Sequence, residues 1–214
     1  MIDLAPLPAL LAAQAGREFQ RHKLIWALDA RLAQIVRTTS EPLIGQMRLA
    51  WWHDVIFDAQ AIKGRGEPIV DALRDQGVVD SSGLVDMLEG WEILIVEQEL
   101  DRQSLGDYAT GRGGGLFHAL AGAVDVPDWL IDAGAVWALW DLSGHVSSPE
   151  LARQALALGK ERLLTNTLSW PKAWAPMRIA YSLARSEIVR GRGAPGNLTP
   201  SLYMRLIWLM LTKR

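Results

Sequence analysis

The sequence predicts an all-α fold, one domain over residues 1–214 built from about eight to ten helices, and three observations lead to it. Apolar residues, mostly Leu and Ala, recur at spacings of three and four, which lines one face of a helix, whereas strands would alternate. The breaks between these stretches carry serine, threonine, proline and glycine in the order that starts and stops helices. Finally, a hydrophobic fraction of 50% against 21% charged residues in 214 residues is ordinary globular usage, enough for one sizeable core.

The first clear helix spans about Phe19 to Arg37, with Ile25, Leu28, Leu32 and Ile35 as its core stripe and Arg21, Asp29 and Arg37 turned to water. Ser40-Glu41-Pro42 opens a second helix reaching about Ala61, whose stripe reads Ile44, Met47, Trp51 and Val55 with Trp52 beside it. After Gly64-Arg65-Gly66-Glu67-Pro68 comes a short helix from Ile69 to Arg74, and then a long one from Leu84 to Glu97 with Leu84, Leu88, Trp91 and Ile95 in register. Ser104 caps a helix that carries Tyr108 and Gly113-Gly114-Gly115. Three adjacent glycines weaken a helix by about 1 kcal/mol each, so a bend or the close approach of another backbone is expected there. Asp128 to Leu142 forms the next helix. Ser148-Pro149-Glu150 caps another that Trp170-Pro171 stops, Ala175 to Arg190 follows, and Thr199-Pro200 caps a last helix with Tyr203, Leu206 and Trp208.

Several function classes lose support from composition. A net charge of −2 and a pI near 6.1 give no overall positive field for a nucleic-acid partner. With no cysteine there is no disulfide, thiolate site or cysteine nucleophile, and a cytoplasmic location is expected. The start places Asp3 where an export signal would be basic, and no apolar run is long enough to span a bilayer, so any membrane contact is expected to be peripheral at most.

Four stretches, in order, resemble the squalene/phytoene synthase family, chiefly its bacterial branch and the related mitochondrial complex I assembly proteins. They are Leu24-Ile25-Trp26-Ala27-Leu28; Glu41-Pro42-Leu43-Ile44-Gly45-Gln46-Met47-Arg48-Leu49-Ala50-Trp51-Trp52; Tyr108 followed by Gly111, Gly113, Gly114, Leu116 and Phe117; and the closing helix from Pro200 to Leu211. The resemblance implies an isoprenoid-synthase-like helical bundle. Enzymes of that family join two prenyl diphosphates head to head, using aspartates on facing helices to hold magnesium against the leaving diphosphate. The first aspartate motif should fall near Leu32-Ala33-Gln34-Ile35-Val36, which has no carboxylate, and the later segment Ala135 to His145 offers only Asp141.

The implied function is therefore that of a catalytically degenerate relative, a binding or assembly factor without catalytic residues, metal or other cofactor, whose partners are a prenyl or lipid ligand or another protein. Arg48, Trp52 and Tyr108 are the residues expected to line an apolar cavity. Two alternatives stand beside this: a carrier of a prenyl or lipid chain, and an active prenyl transferase holding magnesium through Asp54, Asp58 or Glu92. Asp54/Asp58, Asp71/Asp75 and Asp128/Asp132 all place two carboxylates on one helical face, but so does any solvated face, since the like-charge cost is only about 0.2–0.5 kcal/mol. His22, His53, His118 and His145 are too scattered for local metal ligation. Most of the ten tryptophans read as core, some as lining an apolar pocket or lying at a membrane interface.

Overall fold

The computed structural model describes residues 2–79, 81–97, 99–165 and 169–211. Its helices are α1 (Pro6–Ala13), α2 (Phe19–Thr38), α3 (Pro42–Ile56), α4 (Pro68–Asp75), α5 (Leu84–Val96), α6 (Arg102–Tyr108), α7 (Gly115–Ala121), α8 (Asp128–Ser143), α9 (Pro149–Glu161), α10 (Ala175–Val189) and α11 (Pro200–Leu211). A π-helical turn, Ala109–Gly114, joins α6 to α7 without a break. Counting that rod once gives ten helices and no strand among the described residues, as the spacing of apolar residues predicts.

Proline sits in the first turn of α1, α3, α4, α9 and α10, where its missing N–H costs no hydrogen bond. Around one continuous core, α8 is the hub: it packs on α7, α9, α10 and the π turn. Its middle, Ala133 to Trp140, is buried all round, which explains why no polar face interrupts it. α2 crosses the other side of the core, against α1, α4, α5 and α7.

Five expectations need correction. α3 ends at Ile56 rather than near Ala61, because the Asp58 carboxylate accepts the backbone N–H groups of Gln60, Ile62 and Lys63 and folds the chain into a turn. α3 is also rolled relative to the predicted stripe: it buries Gly45, Leu49, Trp52, Val55 and Ile56, while Ile44, Met47 and Trp51 are exposed. Gly45 accounts for the roll, since a Cβ there would lie 2.8 Å from Ile95 Cδ1, so this face alone can seat against α5. At α6 the cap is Asp101, whose side chain accepts the Ser104 N–H at 2.8 Å, and α1 is a helix that the spacing does not predict. α9 stops at Glu161, short of Trp170-Pro171, and residues 166–168 of the predicted extension lie outside the described residues.

Candidate functional site: a caged arginine beside a small cleft

The glycine run brings the close backbone approach that its composition predicts. The π turn is squeezed between α5 and α8: a Cβ on Gly90 would overlap the Arg112 backbone, and a Cβ on Gly113 would overlap the Gly134 carbonyl. Only bare backbones can approach so closely. The wider π turn also sends the Arg112 side chain into the interior, where it is only 3% exposed. Such turns recur at functional sites.

Arg112 is held from two helices at once. Its Nε and Nη2 donate to Asp29 Oδ1 and Oδ2 on α2 at 3.1 and 3.0 Å, a bidentate pair. Nη1 donates to Asp141 Oδ2 on α8 at 2.7 Å and to the Tyr108 hydroxyl at 2.6 Å. The guanidinium carbon lies 4.1 Å from the centre of the Trp91 ring, and the Trp91 indole N–H donates to Asp29 Oδ1 at 2.8 Å. Burial opposes charge on Arg112, but Asp29, Tyr108 and Asp141 more than offset it and push its pKa well up. Burial likewise raises the Tyr108 phenol. Two carboxylates are thus fixed by one permanent cation. Asp141 is the more accessible of the two, and its Oδ1 is 3.5 Å from His145 Nδ1.

Beside this network is a cleft of about 220 Å³. Asp29, Arg112 and Asp141 contribute its polar lining, Trp26, Trp137 and Trp140 its aromatic wall, and Arg37 and His145 are further basic groups on it. The rings of Trp26 and Trp137 pack edge to face at 5.7 Å, and Trp137 continues onto Trp140 at 5.2 Å. Residues 5–8 and 194–198 line the remainder.

Of the residues expected to share a cavity, Tyr108 alone belongs to this centre. Arg48 is exposed and donates to Thr39 Oγ1 at 3.2 Å in a separate surface groove that it shares with Arg31, Trp51 and Trp52. Trp52 is buried there, its ring against Trp51. Asp54 is exposed and pairs with Lys63 at 3.2 Å, whereas Asp58 lies beyond the end of α3 and spends its oxygens on backbone N–H groups, so the two share no helical face. Glu92 is part-buried on α5, outside the network.

Asp29, Arg112 and Trp91 were the missed partners, and Asp29 is a correction: it is buried, not turned to water. Its spacing from Ile25, Trp26, Leu32 and Ala33 marks the apolar face, a signal available in the sequence. As donors for magnesium the central carboxylates fit poorly, because both Asp29 oxygens and one of Asp141 are already engaged by Arg112. Among the described residues no group of three or more His, Asp or Glu is arranged to hold a metal, and no helix is long and apolar enough to cross a membrane. Compared with protein-family models, curated proteins and solved structures, the chain gives no match.

Proposed function

We propose that the chain is a binding or assembly factor on an isoprenoid-synthase-like scaffold, with no metal-dependent chemistry at its centre. One observation carries this reading: Arg112 occupies the space between carboxylates projecting from α2 and α8. Carboxylates facing each other across a bundle would suit a divalent cation, but here a covalently attached cation bridges them, offsets one of their two charges and cannot dissociate. The arrangement fixes the bundle and the wall of the cleft.

The size of the cleft supports the same reading. A volume of about 220 Å³ holds about seven water-sized groups, below the usual range for a ligand pocket. A farnesyl or geranylgeranyl chain has more than twice as many carbons. A prenyl chain would therefore not be enclosed within this cleft, and the transferase alternative would also need a metal site other than Asp54 and Asp58, which do not share a helical face. A ligand suited to the cleft is a short apolar group with one polar end, set against Trp26, Trp137 and Trp140.

The test is thermal melting of the purified protein with magnesium, with farnesyl diphosphate, and with both together. The reading expects no magnesium-dependent rise in Tm. A rise produced by the two together, and lost in Asp29→Asn or Asp141→Asn, would overturn it.

A further inference from the structure

The chain is unevenly charged. Residues 172–214 hold eight of the 22 Lys and Arg but only Glu187 of the 24 Asp and Glu, a local balance of +7 within a chain of −2. This segment contains α10, its following loop and α11. On α11 the inner residues Leu202, Leu206 and Leu209 are buried against the bundle. The outer side is also apolar: Tyr203, Met204, Trp208 and Leu211 are exposed, Trp208 to 61% and Leu211 to 76%. A helix apolar on both sides is normally covered on both. Its one charged residue in the described span, Arg205, turns inward and pairs with Glu187 and Ser186 of α10. Flanking those two residues on α10 and its C-terminal end are Arg185 and Arg190, both exposed, with Val189 exposed between them.

We infer that this face docks on an anionic lipid surface, with the outer side of α11 entering the interface and the surrounding arginines facing lipid phosphates. The inference is independent of the reading of the central site. An apolar strip holding Trp and Tyr, bordered by arginine, matches a bilayer interface in both layers: rings and aliphatic groups among the acyl chains, guanidinium groups at headgroup level. A second copy of the chain fits less well, since a two-fold contact through this face would set two strongly basic segments against each other. A nucleic acid would need the charge at the centre of the face, where here it is apolar.

Cosedimentation of the whole protein with phosphatidylcholine vesicles, with and without phosphatidylglycerol, tests this. Binding to the anionic vesicles should be at least about tenfold stronger and should weaken as salt rises. The double variant Met204→Gln, Leu211→Gln removes two exposed apolar groups of the outer side, so it should keep its circular-dichroism melt while losing about tenfold in binding. Failure to sediment with anionic vesicles, or equal binding by the double variant, would overturn the inference. So would a dimer in light scattering that the double variant dissociates, or tighter binding to an oligonucleotide than to anionic vesicles.

Discussion

Replacing Arg112 with Met is the most informative single perturbation. The substitution keeps most of the aliphatic volume and removes the cation that Asp29 and Asp141 share. Asp29, only 4% exposed, keeps the Trp91 indole as a donor but loses its bidentate partner. Breaking a buried ion pair from one side costs about 3–5 kcal/mol, because the remaining charge cannot be rehydrated. For a chain of this length that corresponds to a fall in Tm of roughly 6–20 °C. Asp29→Leu combined with Arg112→Met removes the fully buried pair, leaves only the more accessible Asp141, and should recover part of the loss. Chemical denaturation of the parent, both single variants and the double gives the coupling. A loss below about 1 kcal/mol for Arg112→Met, or a double variant as weak as the sum of the singles, would refute the caged-cation account.

Two further outcomes follow from buried groups elsewhere. His22 is buried beside Arg21, and burial first, then the Arg21 charge, lowers its pKa from 6.5 to about 4. The unfolded chain therefore binds the proton first, so about 3 kcal/mol of stability should disappear as pH falls from about 6.5 to 4, and His22→Gln should flatten that slope in urea melts. Trp52→Ala and Leu88→Ala should each cost about 2–5 kcal/mol in denaturant, whereas Trp51→Ala, at a position 43% exposed, should cost much less.

Helix existence was legible in the sequence because apolar spacing of three and four marks helices, and in α5 it also reports the buried face, at Leu84, Leu88 and Trp91. The glycine run was legible for a similar reason: bare backbones next to a tyrosine imply something close, and that something is α5 and α8. What was not legible was rotation. α3 is apolar on almost every side, so periodicity could not say which side faces in, and contact of Gly45 with Ile95 decided it. The centre of the candidate site was hidden by a different effect. Asp29 and Arg112 are polar residues at core positions, 83 residues apart, and each is acceptable there only because the other is present. Read singly, Asp29 shows by its spacing only that it shares the apolar face of α2, and the identity of its partner is absent from local spacing.

The most direct measurement of the central claim is pyrophosphate release by the purified protein with magnesium and farnesyl or geranylgeranyl diphosphate. A departing diphosphate concentrates negative charge that preorganised cations must offset as the bond breaks, and here the facing carboxylates that would recruit them are already bound to Arg112. The account predicts release no faster than in a control without protein. Turnover above that control, abolished by Asp29→Asn or by Asp54→Asn with Tm unchanged, would contradict it.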